Sequence, residues 1–591
     1  MAHNFHIPVL GLGFSIDTPL KVARYGISSV VSIVDDELTE RMRAFHAEAN
    51  QINYKPISKK ETDSRALRLT AYLNLLDDLV YKQFEALKKL PFEFGNDLCK
   101  YFELLPEDSQ LKQGYDLMME FAPGERRTIF ENILRAKMQR GSIDVNIMAK
   151  VDKMNYVNDE FTGDENTDAM AALRGFANSK LNSSLVLSAG MNPHLYSYVA
   201  NFRDFLPDEN GQLNKKIILK VSDFRSAFIQ AKFLAKKGIW VSEFRIESGL
   251  NCGGHAFATD GFLLGPILEE FKQKRNEMLH ELSELYVSAL GSEAVSFKIP
   301  AQKISVQGGI GTAKENKFLF DYYKVDGTGW GSPFLLVPEV TNVDEKTVES
   351  LKNATEEDYY LSNASPLGIF FNNFKYNTSD QQRLERIAKG RPGSPCTKKY
   401  LCSNTEFTAQ PICTASREYQ NLKIKQLESA NLAPNEFEQR FNTITEKTCL
   451  CEGLCTSAYL KNNMLKPKES NAVAICPGPN LAYFSEVYSL EEMAKHIYGK
   501  LDLLVATKRP HFFVKELNLY IDYFQTELKN HISDINDKKK KYLINFKTQL
   551  QEGINYYKKL YNESSYQTLF LKELNYSDLL ASEIKLVNTV I

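Results

Sequence analysis

The chain is short of several features that would fix its class at once. Nine cysteines and two tryptophans occur in 591 residues, far too few thiols for a disulfide scaffold. No apolar run approaches the ~18 residues that a membrane span needs, so no membrane partner is expected. The opening stretch, from Met1 through His6 to Pro8, has neither a basic n-region nor a long apolar core. That predicts no secretory signal and a cytoplasmic protein. Neither charge sign is in excess, since 72 Lys and Arg face 74 Asp and Glu for a net of −2, which argues against a nucleic-acid partner. A dinucleotide fingerprint on the first strand is missing, because Gly11-Leu12-Gly13 has no third glycine at the right place. No CxxC pair occurs either, so neither a zinc ribbon nor the common ferredoxin run is present.

What is present is the composition of a globular protein, 43% hydrophobic and 25% charged, with length enough for two to four domains. Strand-like and helix-like segments alternate. Strands are predicted at residues 7–10, 29–34, 143–148, 184–188, 217–221, 241–246, 304–307 and 325–327, with the clearest helices at 224–237 and 262–290. Eight βα steps are the count of a TIM barrel. The expected fold class is therefore α/β, a (β/α)8 barrel built from residues 1–36 and 141–345. A helical insertion covers 37–140, because no barrel needs so long a connection. A loop-rich region with cysteines follows at 346–484, and residues 485–591 read as helical. In this last part Leu517, Ile521, Phe524, Leu528, Ile532 and Ile535, then Tyr542, Phe546, Leu550 and Ile554, form an apolar stripe. It is expected to pack on the barrel or between subunits of a homo-oligomer.

Three glycine-bearing segments follow predicted strands, at the catalytic end of a barrel. The first is Ser248 to His255, in which Gly253 and Gly254 allow close backbone approach and deliver His255. The second, Gln307-Gly308-Gly309-Ile310-Gly311-Thr312, runs into a helix N-terminus whose free amides suit a phosphate. The third is Val325-Asp326-Gly327-Thr328-Gly329-Trp330-Gly331-Ser332. Seven of the nine cysteines lie in the 81 residues from Cys396 to Cys476. The set Cys449, Cys451, Cys455 and Cys476 is the candidate for an iron–sulfur cluster or zinc, the alternative being reduced thiols packing as small hydrophobes.

These motifs resemble the flavin-dependent nitronate monooxygenases, also called 2-nitropropane dioxygenases, which are related to FMN-containing enoyl reductases. The family's Gly-Gly-His is met by Gly253-Gly254-His255 and its Gly-Gly-Ile by Gly308-Gly309-Ile310. Its Ala-Asp-Gly-x-x-x-Gly-Thr/Ser is similar to Val325 through Ser332, and its third-strand Val-Asn to Val145-Asn146. The resemblance covers residues 7–36 and 141–340. It departs before the Gly-Gly-His, where Ser248-Gly249-Leu250-Asn251-Cys252 replaces the family's Gln-Gly-x-Glu-Ala. It implies a TIM barrel with FMN held by Asn146, Gly253, Gly254, Gly308, Gly309, Gly331 and Ser332, with His255 as the catalytic acid–base group. The implied activity is monooxygenase-like oxidation of a small acidic-carbon substrate such as a nitronate, with dioxygen. The alternatives are an NAD(P)H-dependent enoyl reductase of the same superfamily and a non-catalytic assembly or electron-transfer flavoprotein.

Overall fold

In the computed structural model the described residues are 2–149, 152–157, 160–188, 190–252, 260–291, 298–504, 509–531, 536–562, 574–587 and 589. Eight strands close into a parallel barrel: β1 (Phe5–Ile7), β2 (Ser28–Ser32), β3 (Ile143–Ile147), β4 (Ser184–Leu187), β5 (Lys216–Val221), β6 (Val241–Glu247), β7 (Lys303–Gln307) and β8 (Gly327–Gly329). Each pairs with its neighbour in sequence order, and β1 closes the ring on β8 through His6 and Gly329. Parallel strands covered on both faces demand β-branched and aliphatic residues, and segments such as Lys-Ile-Ile-Leu-Lys-Val supply them.

Two predicted edges move, for local reasons. The first strand ends at Ile7 because Pro8 brings no N–H to a ladder. The last begins at Gly327 because Asp326 turns the chain, its carboxylate accepting the Ile304 N–H at 2.8 Å.

Between β2 and β3 the chain is helical, with helices Asp36–Ala49, Ser64–Lys88, Asp97–Glu103, Gln110–Met119 and Glu125–Lys137. Asp35, Asn96 and Ser109 cap three of these by accepting a backbone N–H. The C-terminal region packs back on the barrel. Phe512–His531 and Asp537–Asn562 bury Leu517, Ile521, Phe524, Leu528, Phe546, Leu550 and Ile554 within the chain itself. The part of the stripe they form is thus spent inside one molecule and offers no face to a second subunit; Ile532 and Ile535 lie outside the described residues. Among the described residues no helix is long and apolar enough to cross a membrane.

The acidic pair after β2 joins these parts. Asp36 bonds Arg65 and Arg68 of the insertion at 2.9 Å each, and Tyr400 of the C-terminal region donates to it at 2.9 Å. Burial alone would raise its pKa, but the two guanidinium groups hold the carboxyl below its ordinary value. Asp35 takes Lys398 in a nearly fully buried ion pair.

Candidate active site

Val30, Val186 and Ile218, from β2, β4 and β5, meet in a small buried cluster that marks the inward faces of the strands. Lys220 follows Ile218 by two residues and so also points inward. Its Nζ lies 3.1 Å from Oε1 of Glu247, the last residue of β6. The same oxygen accepts from Asn251 Nδ2 at 2.6 Å and from Gln307 Nε2 at 2.7 Å. Three donors on one oxygen fix the carboxylate in a single orientation. The Glu247 side chain is 4% exposed and that of Lys220 17%, so the ammonium is the more accessible member. Further in, His6 Nε2 lies 3.4 Å from Gln307 Oε1. Burial, then the Arg245 charge, push the His6 pKa down to about 3, which leaves the ring neutral.

At the opposite, N-terminal end of the strands a cavity of about 530 Å³ is lined by Asp144, Glu243, Arg245, Ser305 and their neighbours. There Arg245 pairs with Glu243 at 2.8 Å. Barrel chemistry belongs to the other end.

The sequence-predicted residues divide into three groups. Gly308 and Gly309 follow β7, Gly331 and Ser332 follow β8, and because these strands are neighbours the two loops stand side by side. Asn146 sits on β3, half-buried, with its carbonyl accepting the Ile33 N–H at 3.1 Å. Gly253, Gly254 and His255 lie outside the described residues.

The two glycine loops are engaged by the chain's own C-terminal region. Ser332 Oγ accepts the Gly478 N–H at 2.9 Å, and a Cβ on Gly478 would lie only 2.7 Å from that oxygen. Asn480 Nδ2 donates to Ile310 O at 3.0 Å, and Arg509 Nη2 to Gly309 O at 2.6 Å. The anion at the following helix N-terminus is a resident carboxylate. Glu315 accepts the Gly311 N–H at 2.8 Å and the Phe512 N–H at 2.9 Å, and pairs with Arg509 at 2.6 Å. Burial alone would raise the Glu315 pKa; Arg509, then His511, hold it below the ordinary carboxylate value. Gly308 and Gly309 adopt φ of 103° and 81°. A Cβ on Gly309 would lie 2.6 Å from Leu250, so close loop-on-loop packing accounts for glycine there without a ligand. A phosphate would therefore meet a negative charge and groups already bonded to protein. In this arrangement these residues do not fit the FMN phosphate that the resemblance implies.

The cysteines regroup. Cys402, Cys413, Cys451 and Cys476 share a small buried cluster with Tyr400, Leu401, Ala415, Leu450 and Ala474, and Cys396 and Cys449 pack at its edge. Cys455 departs from the expected set, its thiol lying 3.2 Å from Asp35 Oδ2. All nine are free thiols, and among the described residues no three Cys, His, Asp or Glu side chains are gathered to hold a metal ion.

Sequence reading missed Lys220 and Glu247. The signal was there: Glu243, Arg245 and Glu247 put charge at every second position of a strand that a parallel barrel would otherwise fill with apolar side chains. Arg509 and Glu516 carried no local signal, since their roles depend on contacts with residues about 200 or more positions away.

No family model matches the chain, and no curated protein does. Among solved structures it is similar to the enoyl reductase domain of MlnA from the macrolactin biosynthesis cluster of Bacillus amyloliquefaciens. The identity is 14%, over 73% of this chain and 87% of that one, with a TM-score of 0.32.

Proposed function

We propose that the protein is an enzyme that takes a proton from a small acidic-carbon substrate, such as a nitroalkane on its way to a nitronate, at the C-terminal mouth of the barrel. The observation that carries this reading is the Lys220–Glu247 pair with its two amide partners. A carboxylate held in one orientation suits a general base. An ammonium 3.1 Å from it suits the oxygen on which negative charge develops as the proton leaves. Asn251 and Gln307 are positioning residues, since they act on the substrate only through the carboxylate.

The test is deuterium uptake at the acidic carbon of a small nitroalkane in D2O. Wild-type protein accelerates the exchange, and Glu247→Gln lowers it by about 10²–10⁴-fold. Exchange no faster than buffer sinks the reading.

A second reading, an FMN oxidoreductase of nitronate monooxygenase or enoyl reductase type, draws support from the glycine loops of β7 and β8 standing side by side. It requires Gly478, Asn480 and Arg509 to leave those loops. A flavin absorption band at one equivalent in the purified protein establishes it, and a colourless protein that takes up no added FMN removes it.

A further inference from the structure

The connection from β6 to helix Leu264–Leu290 has one foot at Gly249 and the other at Leu264, and residues 253–259 lie outside the described ones. Both of its feet are described, and one side chain from the far end of the chain holds them. Glu516, on helix Phe512–His531, accepts the Gly249 N–H on Oε1 at 3.2 Å and the Leu264 N–H on Oε2 at 2.8 Å. It is 1% exposed. Leu264 opens helix Leu264–Leu290, whose N-cap residue Leu263 offers no side-chain acceptor. The missing cap is supplied from elsewhere, by Glu516 and by Tyr557, whose hydroxyl accepts the Gly265 N–H at 3.2 Å. A carboxylate at a helix N-terminus is favourably placed against the free amides and the helix dipole.

We propose that Glu516 is a positioning residue, a proton-linked clasp that holds both feet of the β6 loop when ionised and loosens one when protonated. The clasp itself follows from the two hydrogen bonds; its importance for turnover rests on the proposed reading of the mouth as the active site. A carboxylate has an acceptor oxygen for each foot. A carboxyl group makes one of those oxygens a hydroxyl, a donor and a weaker acceptor, so the amide N–H facing it is held less firmly. Burial holds this carboxyl up at about 7, against the pull of the two backbone amides and of Ser248. The groups that face it are Ser248 on the loop, Tyr557 on helix Asp537–Asn562, and Tyr520 on its own helix. Among the described residues no cation or second carboxylate stands among them.

Amide hydrogen exchange of the full-length protein, read by mass spectrometry at the peptides holding Gly249 and Leu264, tests the clasp without any substrate. After correction for the intrinsic pH dependence, protection at one foot falls about tenfold or more between about pH 8 and about pH 6 in wild type. In Glu516→Gln, which keeps size but cannot ionise, it does not change with pH. Amides of β5 serve as the internal reference, so general loosening is recognised. Equal profiles in the two proteins overturn the clasp. The wild-type profile alone suffices if the variant does not fold, a flat one overturning the proposal. Loss of protection with nitroalkane exchange unchanged leaves the clasp standing and overturns its role in turnover.

Discussion

Arg509 and Glu315 form an ion pair at 2.6 Å with side chains 6% and 0% exposed, directly behind the loops of β7 and β8. One lies on the helix after β7 and the other just ahead of helix Phe512–His531, so the pair ties the C-terminal region to the barrel at the C-terminal end of its strands. Removing one partner strands a buried charge. Arg509→Gln is expected to lower stability by about 3–5 kcal/mol, and adding Glu315→Gln to restore part of it. Urea unfolding at neutral pH measures both, and a single-variant loss below about 1 kcal/mol contradicts the assignment.

Lys220→Met keeps the length of the side chain and leaves Glu247 its bonds from Asn251 and Gln307, and should abolish most of the nitroalkane exchange. The expected loss is about 10²–10³-fold, the usual weight of one electrostatic contact to developing charge. Full exchange activity in a folded Lys220→Met protein assigns the ammonium a structural role only.

Acid should destabilise the protein before its carboxylates titrate. Burial holds His3 and His511 at about 4 and His6 at about 3, below the ordinary 6.5. Groups with depressed folded-state values contribute fully above the unfolded value, and that contribution is lost as pH falls from about 6.5 toward 4 and 3. Each imidazole then gives up about 2 kcal/mol by pH 5. Glu516 runs the other way, its stabilisation being present below about 4.5 and lost as pH rises to about 7. Three imidazoles outweigh one carboxyl, so denaturant midpoints should fall between about pH 7 and about pH 5. A rise would show that the imidazoles carry a charge in the folded state.

The thiols offer a direct check on the metal expectation. Burial holds Cys252 at about 11 and Cys451 and Cys455 well above the ordinary value, so the folded protein should react slowly with a disulfide reagent near about pH 8. After unfolding, all nine cysteines should react. Stoichiometric iron with acid-labile sulfide, or zinc, would instead establish a metal in this thiol-rich region.

The barrel was legible because its evidence is local. Strands such as Ile143–Ile147 and Lys216–Val221 advertise themselves in five or six residues, and glycine after a strand marks the end where loops matter. Thr18 shows the limit at a boundary: threonine just before Pro19 is a residue type that caps helices, yet the helix takes Asp17 there and Thr18 donates to Val340 O instead. The glycines of β7 and β8 were visible, but the tenant of their loops was not. Gly478 and Arg509 arrive through tertiary packing, which no periodicity records. The cysteines were visible as a group, but their partners were not, since Cys455 answers to Asp35 far upstream.

Asp35 and Lys398 are 363 residues apart, and that separation sets a clock on biosynthesis. At roughly 5–20 residues per second, a ribosome needs about 20–70 s to deliver the lysine after the aspartate has emerged. The remaining six strands, β3 to β8, are made within that interval, while Asp35 and the apolar seats of the C-terminal helices stay uncovered. The nascent chain therefore passes through a long stage with its barrel strands complete and its cover absent, the stage at which a holding chaperone has most to do.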